Sequence, residues 1–311
     1  MADEERVGTF VALGSVLSSA FFLAFYYLSM HVFGYSYNLL VCSALALLLI
    51  THAGAFLVGS LTRQGIVLLG LSLVLLLEEV LINSESMLYG LLFAFSMMIV
   101  LPILAVFVQG LSRCLEAYGI VFVSRIVFIP IQPAFLTVAF SQPVLYTLIF
   151  LSLAFYMRFR GVQPEQAGLT RGRFSPLIQV PAAVALGFLL GFIEYQILVP
   201  VPIGTQERLL ETIAYLFVVM LVFVATTEEI MFRGLLLNFV SDVVPVAQSI
   251  LIVSVQFGLM HLGWGVPLEI LFAYLAGILF SFAFYKTHSL LMPIIMHGVG
   301  NITLYLFALF A

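Results

Sequence analysis

Residues 216–237 read LFVVMLVFVATTEEIMFRGLLL, an apolar run broken by Glu228, Glu229 and Arg233. The run is long enough to cross a bilayer, yet it places three formally charged side chains where hydrocarbon excludes charge. An ionised group near the bilayer centre costs from about 2.5 to well over 10 kcal/mol, so such groups pair, face a polar cavity or neutralise. The stretch therefore implies both a membrane-spanning helix and a buried polar site upon it.

The rest of the chain agrees with the first half of that reading. Of 311 residues, 63% are hydrophobic and 8% are charged, whereas about a quarter are charged in soluble domains. An all-α, polytopic membrane protein is expected. At about 20 apolar residues per span the sequence predicts about eleven helices. They fall near 7–32, 37–60, 65–82, 87–111, 118–140, 143–157, 177–199, 209–240, 247–262, 268–286 and 290–310. The acidic start leads into an apolar run too long for a signal-peptide core and reads as an uncleaved first span.

Basic residues set the orientation. Arg6, Arg63, Arg113, Arg158, Arg160, Arg171, Arg173 and Lys286 all fall on one side if the N-terminus is cytoplasmic, while Arg208 falls on the other and Arg125 and Arg233 lie within spans. An integral protein of the cell membrane, with a cytoplasmic N-terminus, follows. The polar, glycine-containing connection after the sixth span divides the chain into an N-terminal six-helix bundle (1–157), a basic cytoplasmic connection (158–176) and a C-terminal membrane domain (177–311). That last domain is expected to enclose a water-accessible cavity.

Some chemistry is excluded early. Cys42 and Cys114 are the only cysteines, too few for a disulfide framework or a cysteine metal site. The net charge is −4, Lys286 is the only lysine, and no basic run exists to hold a nucleic-acid backbone.

Two polar pairs follow the charged stretch at helical spacing, Phe257 with His261 and His297 with Asn301. Glu229 and Arg233 are i and i+4 and can form an ion pair, whereas Glu228 is rotated about 100° from Glu229 and faces elsewhere. One carboxylate is neutralised and one is left over as a candidate general base. Counted at 1.5 Å per residue from the expected helix ends, Glu228 lies roughly 18 Å deep, His261 roughly 21 Å, Asn301 roughly 16 Å and His297 about 10 Å. These depths are compatible with one polar layer.

A carboxylate with an imidazole can orient and deprotonate water, while a second imidazole and an amide can donate to a developing oxyanion. That set serves metal-free amide hydrolysis. Glu228, His261 and His297 are equally a candidate Zn²⁺ ligand set, although no HExxH pattern is present.

EEIMFRG at 228–234, FGLMH at 257–261 and HGVGN at 297–301 resemble, in order, the three motifs of the CAAX protease and bacteriocin-processing family. That family includes the Ras-converting type of prenyl-protein endopeptidase. The resemblance covers roughly 171–311. It implies an intramembrane endopeptidase acting on a membrane-associated protein, with C-terminally prenylated CAAX-type proteins as the family's substrate class. It further implies that Glu228 and His261 activate the attacking water, that His297 and Asn301 form the oxyanion hole, and that Glu229 and Arg233 support them. Phe257 would shape the pocket wall, and the glutamate-dependent, metal-free description of the family is the favoured one.

Blander readings stand beside this one. Glu228, Glu229 and Arg233 alone suit a salt bridge that fixes helix packing, and His261, His297 and Asn301 suit polar contacts between helices. A non-catalytic membrane adaptor or immunity-type protein would keep the cavity for binding alone. A transporter would use His52, Glu78 and Arg125. Glu78 and Glu79 repeat the acidic pair, but Asn83 stands where the motif needs Arg. These two, with Glu194 and Glu269, lie near expected helix ends and read as solvated.

Overall fold

The computed structural model describes residues 2–34, 36–58, 62–84, 87–134, 138–199 and 209–310; Arg208, the one cation expected on the opposite side, lies outside them. Among the described residues every regular element is helical. The helices are α1 (Ala2–Phe33), α2 (Tyr37–Val58), α3 (Arg63–Ile82), α4 (Met87–Phe107), α5 (Ser112–Ala134), α6 (Val138–Arg160) and α7 (Pro176–Leu198). They continue with α8 (Leu210–Ser241), α9 (Val246–Leu259), α10 (Pro267–Thr287) and α11 (Leu291–Phe310). Nine of them, all but α5 and α6, are long and apolar enough among the described residues to cross a membrane.

Outward-facing side chains match a lipid solvent. Leu57, Phe107, Phe159 and Leu177 are each more than three-quarters exposed, and a helix that stays apolar on its outer face suits hydrocarbon rather than water.

Helix ends mostly fall within a few residues of the hydropathy reading, with two instructive shifts. Residues 118–140 are not one span: α5 starts six residues earlier at Ser112, and Phe140 belongs to α6. The helix expected to run through Leu262 instead stops at Leu259, and a 3₁₀ turn follows over Leu262–Trp264.

By internal contacts the chain forms two units that interleave along the sequence. The first comprises Met1–Phe122 with Leu236–Leu279, the second Val123–Leu235 with Phe280–Ala311. In the first unit α9 is the central helix, buried along its whole length and packed on α1, α2 and α3. A polar chain runs through it: His52 contacts the Leu48 carbonyl (2.9 Å) and the Ser72 hydroxyl (3.2 Å), and the Gln256 amide reaches Ser72 (3.1 Å) and the Tyr118 hydroxyl. His52 thus joins α2 to α3, the packing role of an intramembrane polar group. Gly258 of the FGLMH motif lets α9 approach α10, since a Cβ there would sit 2.8 Å from the Ile270 carbonyl oxygen.

The solvated reading of four carboxylates does not hold. Glu78, Glu79 and Glu269 are fully buried and Glu194 is 9% exposed. Distance along a helix sets depth, but neighbouring helices decide burial.

In the second unit α7 packs on α11 through glycines. A Cβ on Gly191 would fall 2.1 Å from the Gly300 carbonyl oxygen, and one on Gly187 would fall 2.6 Å from that of Met296. Backbone cannot yield as a side-chain tip can, so Gly191→Ala is expected to cost about 1–3 kcal/mol by overpacking. Gly70 has nothing within 4 Å of the same position, so Gly70→Ala is the neutral control. Thermal unfolding in detergent reads the difference, and equal melting of the two variants would contradict the close α7–α11 packing.

The basic connection is fixed within this unit. Arg173 N–H donates to the Thr287 carbonyl (2.7 Å), Leu290 N–H to that of Gly168 (2.8 Å), and the Thr170 hydroxyl to that of His288 (3.2 Å). Gly168 and Gly172 have φ of +74° and +72°, where a side chain would be strained.

Candidate active site

The charged stretch sits on α8 at a change of helical pitch. Residues Thr226–Glu229 form a single α-turn between two π-helical segments, Phe217–Ala225 and Ile230–Leu237. The Thr226 hydroxyl donates to the Leu221 carbonyl five residues back (3.0 Å), in step with the wider winding. π-Turns break ordinary helical register and recur at functional sites.

Glycines bring the neighbouring elements close. Gly234 lies against the backbone of the connection, where a Cβ would be 2.9 Å from the Ala167 carbonyl oxygen. On α11, a Cβ at Gly298 would meet Leu221 of α8 at 2.5 Å. The approach of α11 to α8 carries His297 to the carboxylates.

Glu229 is the neutralised member of the acidic pair. Its Oε1 accepts from Arg233 Nη1 and from His297 Nδ1, each at 2.8 Å, while its Oε2 is buried with no hydrogen-bond partner among the described residues. Glu229 and Arg233 are both fully buried. The guanidinium also points Nε at the Ser281 hydroxyl (3.4 Å) and lies 5.2 Å from the ring centroid of Phe280. His297 also lies against that ring, nearly parallel to it with centroids 5.3 Å apart. Arg233 and His297, which share Glu229 Oε1, thus both rest against the Phe280 ring.

Glu228 has a different environment. Its side chain is 18% exposed, Oε1 accepts from the Tyr146 hydroxyl at 2.5 Å, and Oε2 stands 3.8 Å from His297 Nε2. The second distance is too long for a hydrogen bond, so Oε2 and Nε2 face each other across a gap. Because Nδ1–H of His297 is already given to Glu229, Nε2 can donate only when the ring is an imidazolium.

The second unit thus brings Glu228, Glu229, Arg233 and His297 together, with Asn301 half-buried one turn further along α11. His261 and Phe257 lie in the first unit. His261 is just past the end of α9, its Nδ1–H donates to the Phe257 carbonyl (2.8 Å), and its ring lies 4.9 Å from that of Phe257. That bond orients the ring. Among the described residues no group of three or more His, Cys, Asp or Glu is placed to hold a metal ion.

Sequence reasoning misses Tyr146, Phe280 and Ser281. Phe280 and Ser281 carry no signal, since one phenylalanine among thirty is unremarked and a serine in a span is ordinary. Tyr146 carries a faint one, a phenol within the apolar part of α6 that needs a partner once buried. A separate cavity of about 400 Å³, lined by residues that include Phe150, Leu153, Met157, Arg158 and Ile230, has none of the site carboxylates or histidines in its wall.

The fold and site define a polytopic helical membrane protein with a buried carboxylate–arginine–histidine cluster. Residues 210–303 match the family model described as Rce1-like, Type II CAAX prenyl endopeptidase Rce1-like. The matched segment contains all three motifs, and its similarity to this model agrees with the resemblance to the CAAX protease and bacteriocin-processing family. Comparisons with curated proteins and with solved structures found no match.

Proposed function

We propose that the protein is an integral-membrane endopeptidase that hydrolyses a peptide bond of a membrane-associated protein, with a C-terminally prenylated, CAAX-type tail as the substrate. The observation that carries this reading is the asymmetry of the acidic pair. Glu229 is fully buried and ion-paired to Arg233 and His297 through Oε1, whereas Glu228 is partly exposed, accepts at Oε1 from a neutral phenol, and has Oε2 3.8 Å from His297 Nε2. The Rce1-like match supports the same class of chemistry.

In this reading water attacks the scissile carbonyl carbon directly, and no acyl-enzyme forms. The water gives its proton to Glu228 Oε2, with His261 aligning the oxygen; the role of His261 rests on the resemblance of its motif. The carbonyl oxygen, now an oxyanion, accepts from His297 Nε2–H and from the Asn301 amide, which strengthen as charge develops. Glu228 then returns the proton to the departing amine as the C–N bond breaks. Glu229 and Arg233 hold His297, and Phe257 shapes the wall beside His261. Water must reach this layer, so the site opens to one membrane face or laterally. The cytoplasmic placement of the N-terminus and the catalytic assignment of residues 177–311 belong to the same proposal.

The experiment is cleavage of a quenched fluorescent peptide ending in farnesylated Cys-aliphatic-aliphatic-X, alongside its unlipidated twin, by purified protein in detergent. Wild type is expected to release the tail of the lipidated peptide. His261→Ala and Asn301→Ala are each expected to lose about 10²-fold or more while still folded, the scale of a lost proton-transfer or oxyanion partner. Cleavage that is indifferent to both substitutions would overturn the assignment, and retained peptide binding without cleavage would mark an adaptor.

A further inference from the structure

The matched segment begins at residue 210, yet one contact to Glu228 comes from far upstream of it. Tyr146 lies on α6, 7% exposed, and its hydroxyl reaches Glu228 Oε1 across 82 residues of sequence. At 2.5 Å the bond falls in the range of a charge-assisted O–H to carboxylate interaction.

The tyrosine ring is itself fixed. It belongs to a buried apolar cluster with Leu216, Val219, Met220 and Val224 of α8, and Ile302, Tyr305 and Leu306 of α11 pack against that cluster. α6 thus packs on α8, the helix that carries the carboxylates, and that packing holds the ring with its hydroxyl at Glu228. A carboxylate held at one oxygen by a rigid donor has its other oxygen aimed.

Resting on the peptidase reading above, we propose that Tyr146 is a positioning residue for Glu228. It occupies Oε1, so that Oε2, the atom facing His297 across the 3.8 Å gap, is the oxygen that takes the proton from water. The functional unit accordingly begins on α6, and the helices before the matched segment supply part of the site rather than only a platform for it.

The test is Tyr146→Phe, which keeps the ring in its cluster and removes only the hydroxyl. Its control is Tyr305→Phe, the same deletion in the same cluster. In the farnesylated-peptide assay, Tyr146→Phe is expected to lower kcat by about 10–100-fold, the scale of a lost supporting hydrogen bond, with KM within about twofold and melting unchanged. Tyr305→Phe is expected to behave as wild type. A structural role alone would lower melting or the folded fraction without splitting kcat from KM.

A second readout does not need turnover. The infrared carboxyl band assigned to Glu228 by its loss in Glu228→Gln is expected to shift in Tyr146→Phe and to stay in place in Tyr305→Phe. Wild-type kcat in Tyr146→Phe, or an unmoved Glu228 band, overturns the proposal. If wild type itself fails to cleave, the peptidase reading falls, and the band alone decides whether Tyr146 holds Glu228.

Discussion

Arg233→Met is expected to destabilise the protein by about 3–5 kcal/mol, the cost of removing one partner from a buried ion pair. Arg233 is fully buried, donates to Glu229 at 2.8 Å and rests against Phe280. Methionine roughly fills the space, so the loss is chiefly electrostatic. It strands the Glu229 carboxylate, one of whose oxygens already lacks a hydrogen-bond partner among the described residues. Removing the stranded charge as well should recover part of the loss, so Glu229→Gln/Arg233→Met is expected to melt above Arg233→Met alone. Thermal unfolding in detergent measures both. Wild-type stability in the single variant would mean that the pair does not hold α8 in place.

Glu228→Gln is expected to act on rate instead of stability. The amide is isosteric and can still accept from Tyr146 through its oxygen, so folding should be preserved. It cannot take a proton from water, and a general base contributes about 10²–10⁴-fold. Turnover of the farnesylated peptide should fall by at least about 10²-fold, with melting close to wild type. The contrast between the two variants separates the roles of adjacent glutamates, Glu229 tied into the fold and Glu228 left for chemistry. Equal activity in Glu228→Gln would remove the basis for that division.

Much of this is legible in the sequence because membrane helices are written in it residue by residue. Apolar run lengths place nearly every helix, and i,i+4 spacing anticipates the Glu229–Arg233 pair. The limits follow from the same physics. A span is read from its own composition, so the boundary between α5 and α6 shifts where two apolar runs nearly merge. Burial of Glu78, Glu194 and Glu269 depends on neighbouring helices that no local pattern reveals. Tyr146 reaches Glu228 through tertiary packing over 82 residues, a contact that neither periodicity nor the motifs encode. His261 shows the intermediate case. Its type and spacing to Phe257 stand in the sequence, but its place in a turn beyond the end of α9 does not.

The measurement that bears most directly on the central claim is cleavage of the farnesylated peptide by wild type in the presence and absence of excess chelator. Wild type is predicted to cleave at the same rate in both, because water is activated by Glu228 and not by a metal. Activity abolished by chelation and restored by zinc would contradict the account and turn Glu228 and the histidines from a proton-transfer set into a ligand set.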